Sequence, residues 1–299
     1  MSARLLDGQK WSAELRRQLA AQVLRLREAG VVPGLAAVLV GDDPASHVYV
    51  RGKTRACREI GIADRTFRLP ADAPQAELFG LLDGLNADPT VHGILVQLPL
   101  PSHLDPKAVL ARIHPRKDVD GFHPLNVGRA FVGDRRALLP ATPAGILELL
   151  RREGIGTEGR HVVIVGRSLI VSKPLFSLLV APGPNATVTM THKYTPNLAD
   201  HTRQADILVV AVGKPGLITA DMVKPGAVVV DVGISRVPDP AAPKGYRVVG
   251  DVDFAAVAQV AGAITPVPGG VGPMTVTMLL RNTVRAARWW ARRQARVGR

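Results

Sequence analysis

Hydrophobic positions alternate between helical spacing and short apolar runs over the first 140 residues. Apolar residues recur at helical spacing over Trp11–Glu28, and the run LAAVLVG at 35–41 ends in glycine, which is typical of a buried parallel strand. Asp43 and Pro44 have the residue types of an N-cap and a first helical position, so they predict a helix through about Ile60. Further strands are predicted near 65–69 and 92–100, and further helices near 74–86 and 105–112. This half predicts an α/β fold.

A second α/β series follows a stretch at 117–143 that is rich in Gly and Pro and weak in periodicity, where we place the domain junction. A connecting helix is predicted at 143–153. Strands are then predicted at 161–166, 186–190, 206–213, 227–233 and near 262–266. Their spacing favours a doubly wound nucleotide-binding sheet. The segment GPMTVTMLLRNTVRAARWW predicts a long terminal helix that packs back on the first domain.

The predicted fold is therefore α/β with two domains, an N-terminal domain at 1–140 and a Rossmann-type domain at 141–285, followed by a basic tail at 286–299. A length of 299 residues with 46% hydrophobic and 21% charged residues excludes a disordered or fibrous protein. We expect a cytoplasmic protein, because no apolar run reaches membrane length and the first residues lack a signal-peptide core. The single cysteine, Cys57, excludes an internal disulfide, and we expect no metal site.

A net charge of +13 predicts anionic partners: phosphorylated or polycarboxylate small molecules, nucleic acid or anionic lipid. Much of the excess lies in the terminal segment RNTVRAARWWARRQARVGR, where Trp289 and Trp290 stand among arginines. One hypothesis is a binder of nucleic acid or membrane surfaces. The other is a solvated or frayed helix end, in which case neither specific nucleic acid nor membrane is a partner.

A strand that ends at Gly166 and a helix that begins near Pro174 enclose the turn GRSLIVSKP, which has the context of a dinucleotide phosphate loop. Glycine allows backbone N–H groups to approach a pyrophosphate closely at a helix N-terminus. Gly166 is the only glycine of this turn, and Ser168 and Ser172 supply small side chains at positions where such residues would help.

The end of the second strand of this series indicates which nicotinamide cofactor is preferred. Sites that prefer NAD place an acidic residue there, whereas this chain has Thr191-His192-Lys193. The basic side chains of this segment, together with Arg167, could surround a 2′-phosphate, so we predict NADP. The alternative is that Arg167 and Lys193 are solvated surface charges.

Four residues in the first half form a candidate polar constellation. Tyr49 and Lys53 are four apart on one predicted helix, Gln97 lies at the carboxyl end of the strand GILVQLPL, and Asp120 lies in the junction loop. Taken singly, each has an ordinary explanation, because a helical Tyr usually packs, a Lys is usually at the surface and an Asp often belongs to a turn.

Six segments carry a resemblance that extends from about residue 4 to about residue 288. They are SHVYVRGKTRACREIGI, GILVQLPLP, KDVDGFHPLNVGR, VGRSLIVSKP, DVGI and ITPVPGGVGPMT. Together they resemble the bifunctional methylenetetrahydrofolate dehydrogenase/methenyltetrahydrofolate cyclohydrolase family. The resemblance implies two α/β domains around a cleft, NADP in the Rossmann domain, a homodimer and tetrahydrofolate derivatives as substrates. It implies oxidation of 5,10-methylenetetrahydrofolate by NADP and hydrolysis of the methenyl product to 10-formyltetrahydrofolate.

The resemblance also implies residue roles. Lys53 is the expected general acid and base, Gln97 orients it, Tyr49 stacks on the folate and Asp120 binds the pterin. Further expected substrate-binding residues are Pro99, Gly269 and Gly270. The expected cofactor-binding residues are Gly166, Arg167, Ser168, His192, Lys193, Val212, Gly213 and Ile234.

Two positions depart from the family pattern, namely Ser172, where glycine is usual, and Lys193, where serine or arginine is common. The first departure concerns the packing of the phosphate loop, and the second the grip on the 2′-phosphate. An alternative within the enzymes is a dehydrogenase with weak cyclohydrolase activity, since hydrolysis is more sensitive to the environment of Lys53.

Overall fold

Parallel strands connected by helices organise both halves of the chain, in agreement with the alternating hydrophobic pattern. A computed structural model describes residues 2–42, 44–243 and 245–297, except for the side chains of residues 44–49 and 294–297. The expected N-cap Asp43 and the side chain of Tyr49 lie outside the described residues.

The helices and strands alternate as follows. The helices are α1 (Gly8–Glu28), α2 (Pro44–Ile60), α3 (Gln75–Ala87), α4 (Pro106–Arg112), α5 (Pro124–Phe131), α6 (Ala141–Arg152), α7 (Ser172–Leu179), α8 (Leu198–Thr202), α9 (Phe254–Val257) and α10 (Val271–Val297). The strands are β1 (Arg4–Leu5), β2 (Gly34–Val40), β3 (Ala63–Leu69), β4 (Gly93–Val96), β5 (His161–Val165), β6 (Thr187–Thr191), β7 (Ile207–Val210), β8 (Val228–Asp231), β9 (Ser235–Pro238), β10 (Tyr246–Val249) and β11 (Ala263–Ile264).

The chain divides into two compact units, each built from segments that are not contiguous. The six-stranded unit contains the chain up to Ser12, Ala130–Gly133 and Thr142–Thr275. The three-stranded unit contains Ala13–Arg129, Asp134–Ala141 and the chain from Val276 onward. The two ends of the chain therefore fold with the opposite halves, a feature absent from the boundaries of 1–140 and 141–285 expected from the sequence.

The three-stranded unit has the strand order β3-β2-β4 with every pair parallel. All seven residues of the central strand β2 are buried, as a strand covered on both faces requires. Leu78, Leu82 and Ile94 are among the buried residues of its core. The terminal helix α10 joins this unit through Asn282, whose Nδ2 donates to the backbone oxygens of Val119 (2.9 Å) and Leu139 (2.8 Å). The prediction that this helix packs on the first domain is confirmed.

The six-stranded unit has the order β1-β11-β8-β7-β5-β6, and all of its strand pairs are parallel. The order runs outward in both directions from β5 and β7, so the predicted doubly wound Rossmann-type sheet is confirmed. The edge strand β1 was not predicted, because two residues are too short to show a hydrophobic period. A separate antiparallel pair, β9 with β10, also lacked a sequence signal.

Three segments differ from the sequence-based expectations. The strand predicted at 92–100 ends at Val96, since Pro99 and Pro101 follow it. The irregular junction contains the helix α5. Residues 286–297 continue α10, with Ala286 and Ala287 buried, so the basic segment expected as a tail begins as a packed part of this helix. Among the described residues, no helix has the length and apolarity to cross a membrane, and no cluster of His, Cys, Asp and Glu could hold a metal ion.

Candidate functional site

A buried lysine and a glutamine meet in the three-stranded unit. Lys53 lies on α2 and is 8% exposed, and its Nζ donates to Oε1 of Gln97 at 3.1 Å. Gln97 follows β4 directly, and its Nε2 donates to the backbone oxygen of Leu98 at 2.8 Å. The second bond determines which end of the amide faces the lysine. The structure thus brings together two of the residues singled out from the sequence and holds the amine in a defined orientation.

Burial and charge alter the acidity of this group. Desolvation lowers the pKa of Lys53, and the carboxylate of Asp120 opposes that change. Desolvation raises the pKa of Asp120 to about 6, although Lys53 acts in the opposite direction. An amine and a carboxyl group therefore interact at a site where each can exchange a proton nearer to neutral pH than usual. Burial raises the pKa of the Cys57 thiol, one helical turn from Lys53, to about 12, so this thiol stays protonated.

The loop that carries Asp120 is held by a second aspartate that sequence reasoning missed. Asp118 is buried, and its carboxylate accepts from the backbone nitrogens of Gly121, Phe122 and His123 at 2.8–3.1 Å. The side-chain nitrogen of Asn126 adds a bond of 2.8 Å. The only available signal was the doubled aspartate of K-D-V-D-G, in which the first carboxylate can close a turn around the second.

Gly121 completes that loop. Its φ is +76°, and a Cβ atom at this position would lie 2.5 Å from the backbone nitrogen of Pro140. A residue with a side chain would therefore displace the backbone beside Asp120. Pro99, two residues after Gln97 in the chain, is exposed. The side chain of Tyr49 lies outside the described residues.

The expected cofactor residues and the substrate glycines of the six-stranded unit share one edge of its sheet. Gly166 follows β5, His192 and Lys193 follow β6, and Val212 and Gly213 come two and three residues after β7. Ile234 comes after β8, and Gly269 and Gly270 come after β11. Since these strands are parallel, the loops all leave the sheet at its carboxyl edge, where open α/β sheets bind ligands.

The turn after β5 is packed against its own neighbours. Gly166 has a φ of +130°, and a Cβ there would lie 2.4 Å from the backbone oxygen of Ala211 and 2.9 Å from Oγ of Ser172. Ser168 closes the turn, because its Oγ accepts from the backbone nitrogens of Val171 (3.1 Å) and Ser172 (3.2 Å). Ser172 is buried, and its Oγ has no partner among the described residues. The turn thus accommodates serine in place of the usual glycine but leaves its hydroxyl unpaired.

Two cations and an aromatic ring gather at the ends of β5 and β6. The Arg167 guanidinium lies 5.4 Å from the centre of the Tyr194 ring, and Lys193 Nζ lies 4.8 Å from it. The His192 ring packs against the same tyrosine edge to face, with the ring centres 6.1 Å apart. The three predicted residues are therefore neighbours, and this cationic cluster is the chemistry expected around a phosphate group. Tyr194, which is 68% exposed and organises the cluster, was missed from the sequence.

A buried carboxylate that was also missed holds the loop after β7. Asp251 is fully buried, and its Oδ2 accepts from the backbone nitrogens of Val212 (2.7 Å) and Gly213 (2.9 Å). Its neighbour Asp231 in turn binds the backbone nitrogens of Asp251 (2.9 Å) and Val252 (3.0 Å). Burial raises the pKa of Asp231 to about 6. The segments D-V-G and G-D-V-D carried a signal for these two residues, but only as buried turn closures.

The glycines after β11 are confined sterically. A Cβ on Gly270 would lie 2.6 Å from Cβ of Thr265, and Gly269 has a φ of +116°. Ile234 is 48% exposed, and its Cδ1 lies 3.8 Å from the position of a Cβ on Gly272. The exposed apolar side chain of Ile234, next to Gly272, provides a surface suited to a flat ring.

Comparison with known proteins matches both halves of the chain to one family. Residues 6–120 match the model of the tetrahydrofolate dehydrogenase/cyclohydrolase catalytic domain, and residues 140–291 match the NAD(P)-binding domain of the same family. A relative from Myxococcus xanthus, named bifunctional protein FolD 1, is 66% identical over 286 residues, which are 96% of this chain and 98% of the relative.

Two solved structures share the fold over nearly their whole length. The bifunctional FolD enzyme from Campylobacter jejuni has a TM-score of 0.91 and 46% identity, covering 96% of this chain and 99% of that chain. The Trypanosoma brucei dehydrogenase-cyclohydrolase, solved with NADP and an inhibitor, has a TM-score of 0.92 and 40% identity, covering 97% and 98%.

Proposed function

Because this chain belongs to the tetrahydrofolate dehydrogenase/cyclohydrolase family, we propose which of its residues perform the family's two reactions. The resemblance drawn from the sequence motifs is confirmed by the family matches over both halves. The chain is a bifunctional enzyme that oxidises 5,10-methylenetetrahydrofolate with NADP and hydrolyses the methenyl product to 10-formyltetrahydrofolate. The family resemblance and the contacts described above support the assignments of individual residues.

The loops of the six-stranded unit fit NADP. Gly166 allows the turn after β5 to pack closely against Ala211. Arg167 and Lys193 provide positive charge for a phosphate, and Val212 and Ile234 expose apolar surface. When bound, NADP supplies the acceptor of the hydride. Asp251 acts as a positioning residue, because it fixes the backbone of Val212 and Gly213. Ser168 holds the phosphate turn, and His192 supports the cationic cluster.

The hydride-transfer reaction needs little from the three-stranded unit beyond positioning. The reacting carbon of methylenetetrahydrofolate lies between two nitrogen atoms whose lone pairs stabilise the cation that forms. No strong base is required for that step. Asp120 accepts hydrogen bonds from the pterin N–H and amino groups, a planar pair of donors that matches a carboxylate. The family resemblance also assigns substrate contacts to Tyr49, Pro99, Gly269 and Gly270.

Hydrolysis is the step that requires proton transfer, and Lys53 performs it. Water adds to the methenyl carbon, and the amine of Lys53 accepts one proton from that water. The resulting ammonium returns this proton to the ring nitrogen as the carbon–nitrogen bond breaks, while the carbon–oxygen double bond of the formyl group forms and the remaining hydroxyl proton is released to solvent. Desolvation lowers the pKa of Lys53, so the neutral amine is more accessible near neutral pH. Gln97 keeps the amine in one orientation through the 3.1 Å bond.

The observation that carries this proposal is the buried amine of Lys53 held by Gln97 beside Asp120. A spectrophotometric assay tests both reactions together: NADP or NAD is added with methylenetetrahydrofolate, NADPH or NADH formation is followed, and the methenyl absorbance is then recorded as it decays. We expect oxidation with the lower KM for NADP, followed by decay faster than the uncatalysed rate. Oxidation with no acceleration of the decay would identify a dehydrogenase with weak cyclohydrolase activity.

We also propose a homodimer in the cytoplasm. The resemblance to the family supports both, and a substrate that is a reduced cofactor of cellular metabolism fits that compartment. Light scattering after size-exclusion chromatography tests the first, with an expected mass about twice the chain mass of 31.8 kDa. A mass equal to that of one chain would overturn it. Fractionation of cells that produce the protein tests the second.

A further inference from the structure

The three-stranded unit contains a cavity lined by arginines that neither reaction uses. This arginine pocket has a volume of about 630 Å³ and is lined by Arg116, Arg129, Arg136, Trp289, Arg292 and Arg293. Its residues come from three parts of the chain: the segment before Asp118, the region around α5 and the last turns of α10. The Trp-Arg segment that was ambiguous in the sequence therefore forms one wall of a cavity.

The charges of the pocket are not balanced. Asp134 pairs with Arg136 at 2.8 Å and lies 3.7 Å from Arg129. The guanidinium groups of Arg116, Arg292 and Arg293 have no acceptor within the described part of the chain. Asp134 therefore lies close to only two of the five arginines that line the pocket. Crowding like charges without counter-charges is unfavourable unless an anion occupies the space.

The surroundings of the pocket increase its positive potential. The Cζ atom of Arg285 lies 4.7 Å from the centre of the Trp289 ring. A further guanidinium therefore contacts an aromatic residue that lines the pocket. Burial lowers the pKa of His114, and the charges of Lys117, Arg116, His123 and Arg293 lower it further. Neighbouring groups therefore already sense an excess of positive charge.

The pocket is separate from the site of Lys53 and Gln97. Ile94 of β4 forms a parallel bridge with Asp118, which aligns the two segments. Gln97 lies three residues beyond Ile94, toward the carboxyl end, while Arg116 lies two residues before Asp118, toward the amino end. Arg116 lies in the turn at 115–117, and the residues that line the arginine pocket do not include Lys53, Gln97 or Asp120. A ligand in the arginine pocket would therefore contact a different set of side chains from the catalytic amine and its partners.

We propose that the arginine pocket binds a compact anion that carries several adjacent phosphate groups. Guanidinium groups form paired hydrogen bonds with phosphate oxygens, and five of them around one cavity match an oligophosphate rather than a single carboxylate. The volume lies in the range of small-molecule sites, and a concave cavity suits a small ligand better than a nucleic-acid duplex, which needs an extended face. The half-buried Trp289 offers a surface for a base if the oligophosphate belongs to a nucleotide.

The test is calorimetric titration of the full chain with inorganic triphosphate, with ATP and with a short DNA duplex at low and moderate salt. We expect one triphosphate per arginine pocket and a Kd that is at least about tenfold weaker in the double variant Arg292→Gln/Arg293→Gln. The matched control, Arg160→Gln/Arg247→Gln, removes two exposed charges from the six-stranded unit and should bind as the unaltered chain does. Unchanged thermal unfolding and dehydrogenase activity establish that the variants fold. Equal affinity for triphosphate and ATP would show that the pocket recognises only the phosphate groups. Tighter binding of ATP would show that the base also contributes to recognition.

Three results would overturn the proposal. The first is a Kd for triphosphate that changes equally in both double variants, because binding would then follow net charge alone. The second is weaker binding in Arg167→Gln/Lys193→Gln but not in Arg292→Gln/Arg293→Gln, which would assign the signal to the cofactor loops. The third is duplex binding that is more than about tenfold tighter than ATP binding and depends on Arg292 and Arg293, which would indicate a nucleic-acid surface.

Discussion

The two units form their sites from different kinds of chemical group. In the three-stranded unit, the site consists of titratable side chains, Lys53 and Asp120, whose pKa values are changed by burial and by each other. In the six-stranded unit, the site consists mainly of backbone: a glycine turn at Gly166 and a loop held by Asp251, with exposed cations at its margin.

The chain thus uses titratable side chains for proton transfer and mainly backbone for cofactor binding. A proton-transfer site depends on the identity of one or two side chains. Replacing such a side chain should therefore cause a large loss of one reaction rate and leave the other properties largely intact. A site made of backbone depends on steric room, so it fails when an atom is added rather than when a charge is removed.

The largest effect is expected from Lys53→Met. This change removes the group that transfers protons in hydrolysis, so the cyclohydrolase kcat should fall by roughly 10² or more. Hydride transfer depends on positioning and should fall by less than about tenfold. Both rates are measured by following NADPH formation and the decay of the methenyl compound. The control is Lys107→Met, which alters an exposed lysine on α4 and should change neither rate. Survival of hydrolysis in Lys53→Met would remove the lysine from the chemistry.

A smaller but still large effect is expected from Gly166→Ala. The added Cβ would lie 2.4 Å from the Ala211 backbone oxygen, so the turn must move. The KM for NADP should rise at least about tenfold, while hydrolysis of supplied methenyltetrahydrofolate persists. Gly154→Ala is the matched control, because its φ of +70° is also left-handed but no atom lies within 4 Å of the new Cβ. It should lower stability by about 1 kcal/mol and leave the KM unchanged. Equal KM effects in both variants would show that strain, not contact, is responsible.

Replacing the exposed cations at the margin of the cofactor site should have a moderate effect on the KM for NADP. The double variant Arg167→Gln/Lys193→Gln removes the two cations around Tyr194. We expect the KM for NADP to rise by about tenfold and the KM for NAD to change little, because only NADP carries the 2′-phosphate. Steady-state kinetics with both cofactors measures this ratio. An equal rise for NAD and NADP would contradict a 2′-phosphate role.

The smallest effect concerns pH. Asp120 can accept two hydrogen bonds only when ionised, and its pKa of about 6 lies well above that of an ordinary aspartate. The KM for methylenetetrahydrofolate should therefore rise severalfold as the pH falls through about 6. Asp120→Asn should give a high KM that no longer depends on pH in this range. Lys53→Met removes the cation that lowers the pKa of Asp120, so the transition should move to higher pH. A profile unaffected by either substitution would exclude Asp120 as the titrating group.

Much of the fold was predictable because its strands are buried. The runs 35–41 and 162–166 are apolar throughout, and their spacing predicts parallel sheets. The exchange of terminal segments between the units was not predictable. β1 has only two residues, and its pairing with β11 joins positions that are about 260 residues apart in the chain. Such a contact leaves no local pattern.

The site was predictable where a side chain carries the chemistry. Lys53 and Gln97 were identified by their motifs, and the structure places them in contact. Asp118 and Asp251 were missed because their partners are backbone nitrogens of residues that become neighbours only on folding. From the sequence, a buried aspartate that closes a loop resembles any turn aspartate. The same limit applied to Trp289, whose pocket requires three distant segments.

The most direct test of the division between the units compares two variants in two measurements. The first measurement is the NADP dissociation constant, and the second is the rate of methenyltetrahydrofolate hydrolysis without nucleotide. The account predicts that Lys53→Met loses hydrolysis but binds NADP normally, and that Gly166→Ala binds NADP weakly but hydrolyses the methenyl compound normally. If either variant lost both properties while remaining folded, the division of roles between the units would be wrong.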